Sequence, residues 1–389
     1  MGMVAHPSQG CKQRKQGPPR GRKGISDLVF SGMSRLHAWL LARAEQIPLR
    51  DRLAILKEEE SYPKALRRFG VNPDGPLGGQ AEAAFARMAL RGYRLLVLGE
   101  PDYPPLLAAI SDPPIALTVM GELLREDALA LAIVGSRRAT PYGRDTARRL
   151  SRDLASFGLT IVSGLARGID SAGHEGALEA SGRTIAVLGS GLDEIYPSEH
   201  RELAARIAER GAIVSEFGLD EAPHARNFPR RNRVITGLTL GTLVVEAAAK
   251  SGSLISARLA LEQDREVFAV PGPVGSPGSE GVHALLRDGA RLVTRAEDVL
   301  EELLEEVREA LKHRATARRG QGPGTLDTLD TEQQAIVTLL LSRHEALDLD
   351  LILDELSLPI DRALAALGRL EVMGRVTRLA GGLYHAGRA

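Results

Sequence analysis

Residues 131–164 read "LAIVGSRRATPYGRDTARRLSRDLASFGLTIVSG". A short apolar run, Leu131–Ser136, leads into a helical pattern from Tyr142 to Gly158, and a second apolar run, Leu159–Gly164, follows. Apolar runs without polar alternation belong to strands covered on both faces. A helix between two of them is the crossover that keeps neighbouring strands parallel. The alternation continues outward: strand-like Thr184–Gly191, Ala212–Phe217, Thr242–Ala247, Glu266–Gly272 and Ala290–Thr294, with helical patterns at Gly168–Gly182, Ser198–Gly211, Ser253–Asp264 and Ser279–Gly289. The expected fold class is therefore α/β: a Rossmann-like parallel sheet of about seven strands, filling residues 96–305.

The flanks read differently. Residues 33–95 form short amphipathic pieces broken by Pro and Gly, which predicts a small helical domain. Residues 1–32 are basic and rich in Gly, Pro and Gln, with no apolar core like that of a signal peptide, and are expected to be a disordered tail. A polar, Gly-rich linker is expected over 306–328. Residues 329–389 predict three helices and a hairpin around Gly381–Gly382, a winged-helix-like domain, with Thr331-x-x-Gln334 in the form of a capping box. Its third helix carries Arg362 and Arg369 beside Asp361 and Glu371. That charge balance fits protein contact better than a grip on DNA.

Composition excludes several classes. The chain has 389 residues, 43% of them hydrophobic, and 50 basic against 50 acidic side chains, so any nucleic-acid footprint must be local. One cysteine, Cys11, excludes an internal disulfide and a Cys-based zinc site. No apolar run reaches the ~18–20 residues that span a bilayer, and a cytoplasmic protein is expected. No cofactor or metal site is expected: His174 precedes Glu175 without a second histidine one turn on, and is read as a helix-surface residue. His283 is read as packing or capping in a Gly-rich turn. No Ser–His–Asp set declares itself.

In an open α/β sheet, ligands bind beyond the C-terminal strand ends, where helix N-termini point. The loops there are Gly135-Ser136-Arg137-Arg138, Ser163-Gly164-Leu165-Ala166-Arg167-Gly168, Gly189-Ser190-Gly191, and the connection into "NFPRRNRVITGL" at 227–238. Glycines permit close approach, Ser136, Ser163 and Ser190 add donors, and Arg137, Arg167, Arg230, Arg231 and Arg233 add charge. The set predicts an anion site with several phosphate-sized cradles. It is neither a dinucleotide fingerprint, since Gly189-x-Gly191 lacks the third glycine and is followed by Asp193 and Glu194, nor a P-loop. Phe228 beside Asn227, Asn232 and the arginines suits a base stacked over a backbone held by charge. The plainer alternative packs Phe228 inward and pairs Arg231 or Arg233 with Glu216 or Glu246.

These motifs, "IVGSRRAT", "SGLARGIDSAGH", "AVLGSGLDEIYP", "SEF", "NFPRRNRVITGL", "VVEAAAKSGSLISARLALEQDREVFAVPG" and "GSEGVHALLRDGA", stand in the order of the DprA/Smf family of bacterial DNA-processing proteins. The chain resembles that family over most of its length, most densely from Leu131 to Thr294; many relatives carry Asn where this chain has His283. The resemblance implies a non-enzymatic function: binding incoming single-stranded DNA in natural transformation, displacing or coexisting with SSB, loading RecA, and working as a homodimer through the Rossmann core. It implies a SAM-like N-terminal domain, an extended Rossmann core and a winged helix. It maps a DNA pocket onto Gly135, Ser136, Arg137, Asn227 and Phe228, and gives Arg226 the role of a lysine that some relatives carry near the NFP run. An alternative is a nucleotide hydrolase or nucleotide-binding module, because "GTLVVEAAAKSGS" looks like the loop of cytokinin-activating phosphoribohydrolases. Glu246 would be the catalytic carboxylate there, although the upstream Pro-Gly-Gly is missing.

Overall fold

The computed structural model describes residues 35–44, 47–57, 66–68, 70–72, 74–319, 331–343, 346–356, 358–372, 375–379 and 382–386. Residues 1–32 with Cys11, and residues 320–328 of the expected linker, lie outside them. The chain forms two compact units, Met1–Arg308 and Glu309–Ala389.

The first unit opens with helices α1 (Arg35–Arg43), α2 (Leu49–Lys57) and α3 (Pro76–Arg91). Strands β1 (Arg94–Val97) and β2 (Ala116–Gly121) follow, with a one-turn helix α4 (Pro105–Ala108) between them. Then come β3 (Ala130–Gly135), α5 (Pro141–Ser156), β4 (Thr160–Ser163), α6 (Ile169–Glu179), β5 (Thr184–Val187), α7 (Arg201–Arg210), β6 (Ala212–Ser215) and α8 (Asn227–Gly237). The series ends with β7 (Gly241–Val245), α9 (Ser253–Glu262), β8 (Glu266–Val270), α10 (Glu280–Arg287), β9 (Arg291–Leu292) and α11 (Ala296–Glu301).

The sheet has nine strands in the order β1-β2-β6-β5-β4-β3-β7-β8-β9. All seven expected strands are present and mutually parallel. Strands β3 to β7 are buried nearly throughout, as their unbroken apolar runs require. Two further strands, β1 and β2, extend the sheet antiparallel beyond β6. An antiparallel pair needs no crossover helix, so the strand–helix alternation that reveals the others is absent here. Pro101, Pro104, Pro105, Pro113 and Pro114 also break up the connecting run. The N-terminal helices share the sheet's core: Trp39, Leu40 and Leu41 of α1 and Met88 of α3 are buried in one cluster with Leu96 and Leu117.

Helix α6 departs from expectation. Gly176 lets α5 approach so closely that a Cβ there would stand 2.1 Å from the Arg148 carbonyl oxygen. The helix is pressed flat on the sheet, and His174 is fully buried rather than on a helix surface, its Nδ1 2.7 Å from the Thr184 hydroxyl. Burial pushes its pKa from 6.5 down to about 3. The folded state therefore refuses a proton that the unfolded chain accepts below pH 6.5, and stability drops as pH falls. This residue alone should remove about 2 kcal/mol between pH 7 and 5. Urea midpoints of the wild type and His174→Gln over that range check it; equal slopes would contradict it.

Helix α12 (Glu305–Arg319) corrects the expected linker, which was to start at residue 306. Its "EEVREALKHRATARR" sequence consists largely of strong helix formers. In the second unit, α13 (Thr331–Arg343), α14 (Leu349–Leu356) and α15 (Ile360–Val372) precede the hairpin of β10 (Val376–Arg378) and β11 (Tyr384–Ala386). Leu347 bridges Tyr384 in antiparallel fashion, and Ile336, Leu340, Ile352, Leu367 and Leu370 fill a small core. Three helices and a hairpin make a winged helix. Arg362 pairs with Glu332 of α13.

Candidate nucleic-acid interface

The chain runs outward from β3 through β4 and β5 to β6 and returns to β7, so strand order reverses between β3 and β7. That switch point is the usual ligand crevice. Here Glu246 fills it. At φ 55° in the left-handed region, its carboxylate accepts from the Thr140 amide at 3.0 Å and hydroxyl at 2.6 Å, and its carbonyl accepts from the Ser136 amide at 2.8 Å. Thr140 in turn caps α5 by accepting from the Gly143 amide. Gly143 leaves room for this carboxylate, since a Cβ there would stand 2.3 Å from Glu246 Oε2 and push it aside. The carboxylate proposed as catalytic in the hydrolase alternative is thus a clamp on the start of α5.

The expected backbone cradles are also largely occupied from within. Asp170 accepts from the amides of Gly164 (3.1 Å) and Ala166 (3.3 Å). Buried Ser163 donates to the Ile133 carbonyl, Ser190 to that of Glu194, and the Ser136 hydroxyl accepts from the Arg138 amide. Gly135 has no room for a Cβ, which would stand 1.9 Å from the Val245 carbonyl oxygen. The serines serve loop geometry, and their hydroxyls are engaged within the protein.

Helix α8 begins at Asn227, so the arginines lie within it rather than before it, and they face different ways. Arg231 is 4% exposed and points under the sheet edge, where it donates to the carbonyls of Gly164 (2.7 Å) and Val187. Its guanidinium fills the space that a Cβ on Gly164 would need, and its Nε donates to Asn232 Oδ1. Burial pulls its pKa down to about 10, against the opposing pull of Asp170. Arg233 is 5% exposed and donates to Glu216 at 2.6 Å and to the Asp112 carbonyl at 2.7 Å. Arg230 is half-buried, 3.3 Å from Glu216 and 5.2 Å over the Phe217 ring. Arg231 and Arg233, with Gly164, are therefore architectural, and Asn232 is half-buried beside Arg231. Asn227 is buried too: its amide donates to Glu221 at 2.9 Å and fixes the turn into α8. His283, expected in a turn, sits in α10 with Nε2 3.0 Å from the Gly272 carbonyl.

What remains on the surface is compact. Phe228, in the first turn of α8, lays a ring edge on the β5 exit, where a Cβ on Gly189 would stand 2.9 Å from it. Arg137, exposed on the β3 exit, places its guanidinium 4.7 Å from the centre of that ring. Among the described residues no carboxylate forms an ion pair with Arg137. Arg226 is exposed just ahead of α8, and Arg167 is exposed on the β4 exit, 2.5 Å from Glu199. Tyr196, 41% exposed, lies 6.0 Å from Phe228 between ring centres. It was not among the residues picked out from the sequence, although an aromatic soon after the Gly189–Gly191 loop is a usable signal in a chain with only six tyrosines.

A family model described as DNA recombination-mediator protein A matches residues 94–304, more than half of the chain. The chain belongs to the DprA/Smf family. A DprA winged helix domain matches residues 321–382. Protein Smf of Escherichia coli (strain K12) is 46% identical over 280 residues, 72% of each chain. DNA processing protein DprA of Bacillus subtilis (strain 168) is 41% identical over 216 residues, 55% of this chain and 73% of its own. The crystal structure of DprA from Streptococcus pneumoniae matches with a TM-score of 0.56 at 33% identity, over 72% of this chain and 96% of that one. DprA from Helicobacter pylori, the subject of a structure on its single-stranded DNA binding mode, matches with a TM-score of 0.50 at 34% identity, over 55% and 96%. The DprA match thus covers the sheet, the exit loops and α8, which carry every surface group just described.

Proposed function

We propose that this chain is a recombination mediator that binds single-stranded DNA, protects incoming strands in natural transformation and loads RecA onto them, acting as a cytoplasmic homodimer without enzymatic chemistry. The observation that carries the reading is the Arg137 guanidinium stacked on Phe228 at the strand exits. A flat cation on a half-buried aromatic at the surface marks a place that accepts another flat group. A base entering against Phe228 displaces Arg137 from the ring and leaves it to meet the adjoining phosphate. Duplex DNA keeps its base faces stacked, so this arrangement favours single strands. The balanced charge of the chain gives no broad grip on a duplex backbone. The single-stranded DNA binding mode described for the Helicobacter pylori relative supports the same ligand class.

The hand-over is tested by RecA filament growth on SSB-coated single strands. The wild type should shorten the lag, and Arg137→Ala should restore most of it. An unchanged lag with wild-type protein that binds DNA would contradict the loading role and leave strand binding standing.

A further inference from the structure

Beyond Phe228 the surface continues in an ordered way. Tyr196 follows at 6.0 Å between ring centres with a 44° tilt. The Arg167 guanidinium comes next, beside the Tyr196 side chain and held by Glu199 at 2.5 Å. His200 Nδ1 lies 2.8 Å from the Leu165 carbonyl and ties the turn bearing Glu199 to the loop bearing Arg167. The order along the surface is Arg137, Phe228, Tyr196, Arg167, Glu199. A base between the two rings would need about 7 Å, two contacts of about 3.5 Å. The gap is too narrow for that, so each ring serves its own base.

The Arg167–Glu199 pair has a different character from the buried pairs of α8. Its side chains are 55% and 49% exposed. Water-exposed pairs hold their partners weakly, and a phosphate competes well for a guanidinium fork. Neither side chain supports the core, and packing gives no reason for the pair.

We propose that Tyr196 and Arg167 form a second nucleotide subsite beside Phe228. Tyr196 stacks the neighbouring base, Arg167 takes its phosphate, and Glu199 occupies the guanidinium until that phosphate displaces it. The subsite takes a nucleotide of any base, because stacking and a phosphate contact read no base edge. It rests on the single-strand reading above. Glu199 makes occupation conditional: a lone anion must compete with a carboxylate already in place, whereas a strand anchored at Phe228 delivers its next phosphate at high local concentration.

The test is fluorescence anisotropy with two labelled probes, an oligo-dT and an abasic deoxyribose-phosphate strand of equal length. Tyr196→Ala should weaken oligo-dT binding roughly 5- to 100-fold and leave the abasic strand unchanged, while Tyr196→Phe keeps wild-type affinity. Glu199→Gln should tighten binding of both probes by at least about twofold at low salt. Wild-type affinity in Tyr196→Ala, or no gain in Glu199→Gln, overturns the subsite. If Arg137→Ala still weakens binding, the single-strand reading survives that result. Failure of the wild type to bind oligo-dT ends both.

Discussion

Replacing Arg231 with alanine should remove about 3–5 kcal/mol of stability, the largest effect expected of any α8 arginine. Its guanidinium satisfies the carbonyls of Gly164 and Val187 and faces Asp170, whose carboxylate holds the Gly164 and Ala166 amides. Truncation strands two buried acceptors and leaves Asp170 buried without its counter-charge. Burial already raises the Asp170 pKa, with Arg231 the first group opposing that rise. Without Arg231 it should climb further. A carboxyl whose folded pKa exceeds its unfolded value loses stability as pH rises through the folded value. The deficit of Arg231→Ala against wild type should therefore be smaller at pH 5 than at pH 8. Urea unfolding at both pH values measures this. A midpoint within experimental error of wild type would show that Arg231 is not structural and would return it to the DNA-contacting set.

Phe228→Ala should weaken single-strand binding about 5- to 100-fold, the range for loss of one stacked base, while the far-ultraviolet spectrum stays unchanged. Phe228→Trp should retain binding. Arg137→Ala acts on a different quantity: it removes one phosphate contact, so affinity falls and the log–log salt slope flattens by about 0.7. The two variants thus separate stacking from charge at one site. Salt titrations of both, in parallel, check the division; equal salt slopes for Arg137→Ala and wild type would place the phosphate elsewhere.

The parallel sheet was legible because each buried strand is an unbroken apolar run and each crossover is an amphipathic helix. Strands β1 and β2 were not, because their pairing is antiparallel and carries no such alternation. The site was legible as a place but only partly as a set of side chains. "NFPRRNR" reads as a charge cluster in one dimension. In a helix its positions diverge by about 100° per residue. Arg231 and Arg233 turn inward to Gly164 and Glu216, while Phe228 stays at the surface. Only the three-dimensional partners, carbonyls far away in sequence, distinguish an architectural arginine from a binding one. The same holds for His174, which turns toward Thr184 on β5 and is fully buried. Tyr196 was missed because its significance lies in a neighbour 32 positions on, Phe228.

The most direct measurement is the anisotropy of a labelled oligo-dT of about 30 nucleotides, titrated with wild type, Arg137→Ala and Phe228→Ala at two salt concentrations, with a duplex as control. The account predicts salt-sensitive single-strand binding by the wild type, weak binding to the duplex, and loss in both variants. Wild-type affinity in both folded variants would contradict it and move the strand away from the Arg137–Phe228 surface.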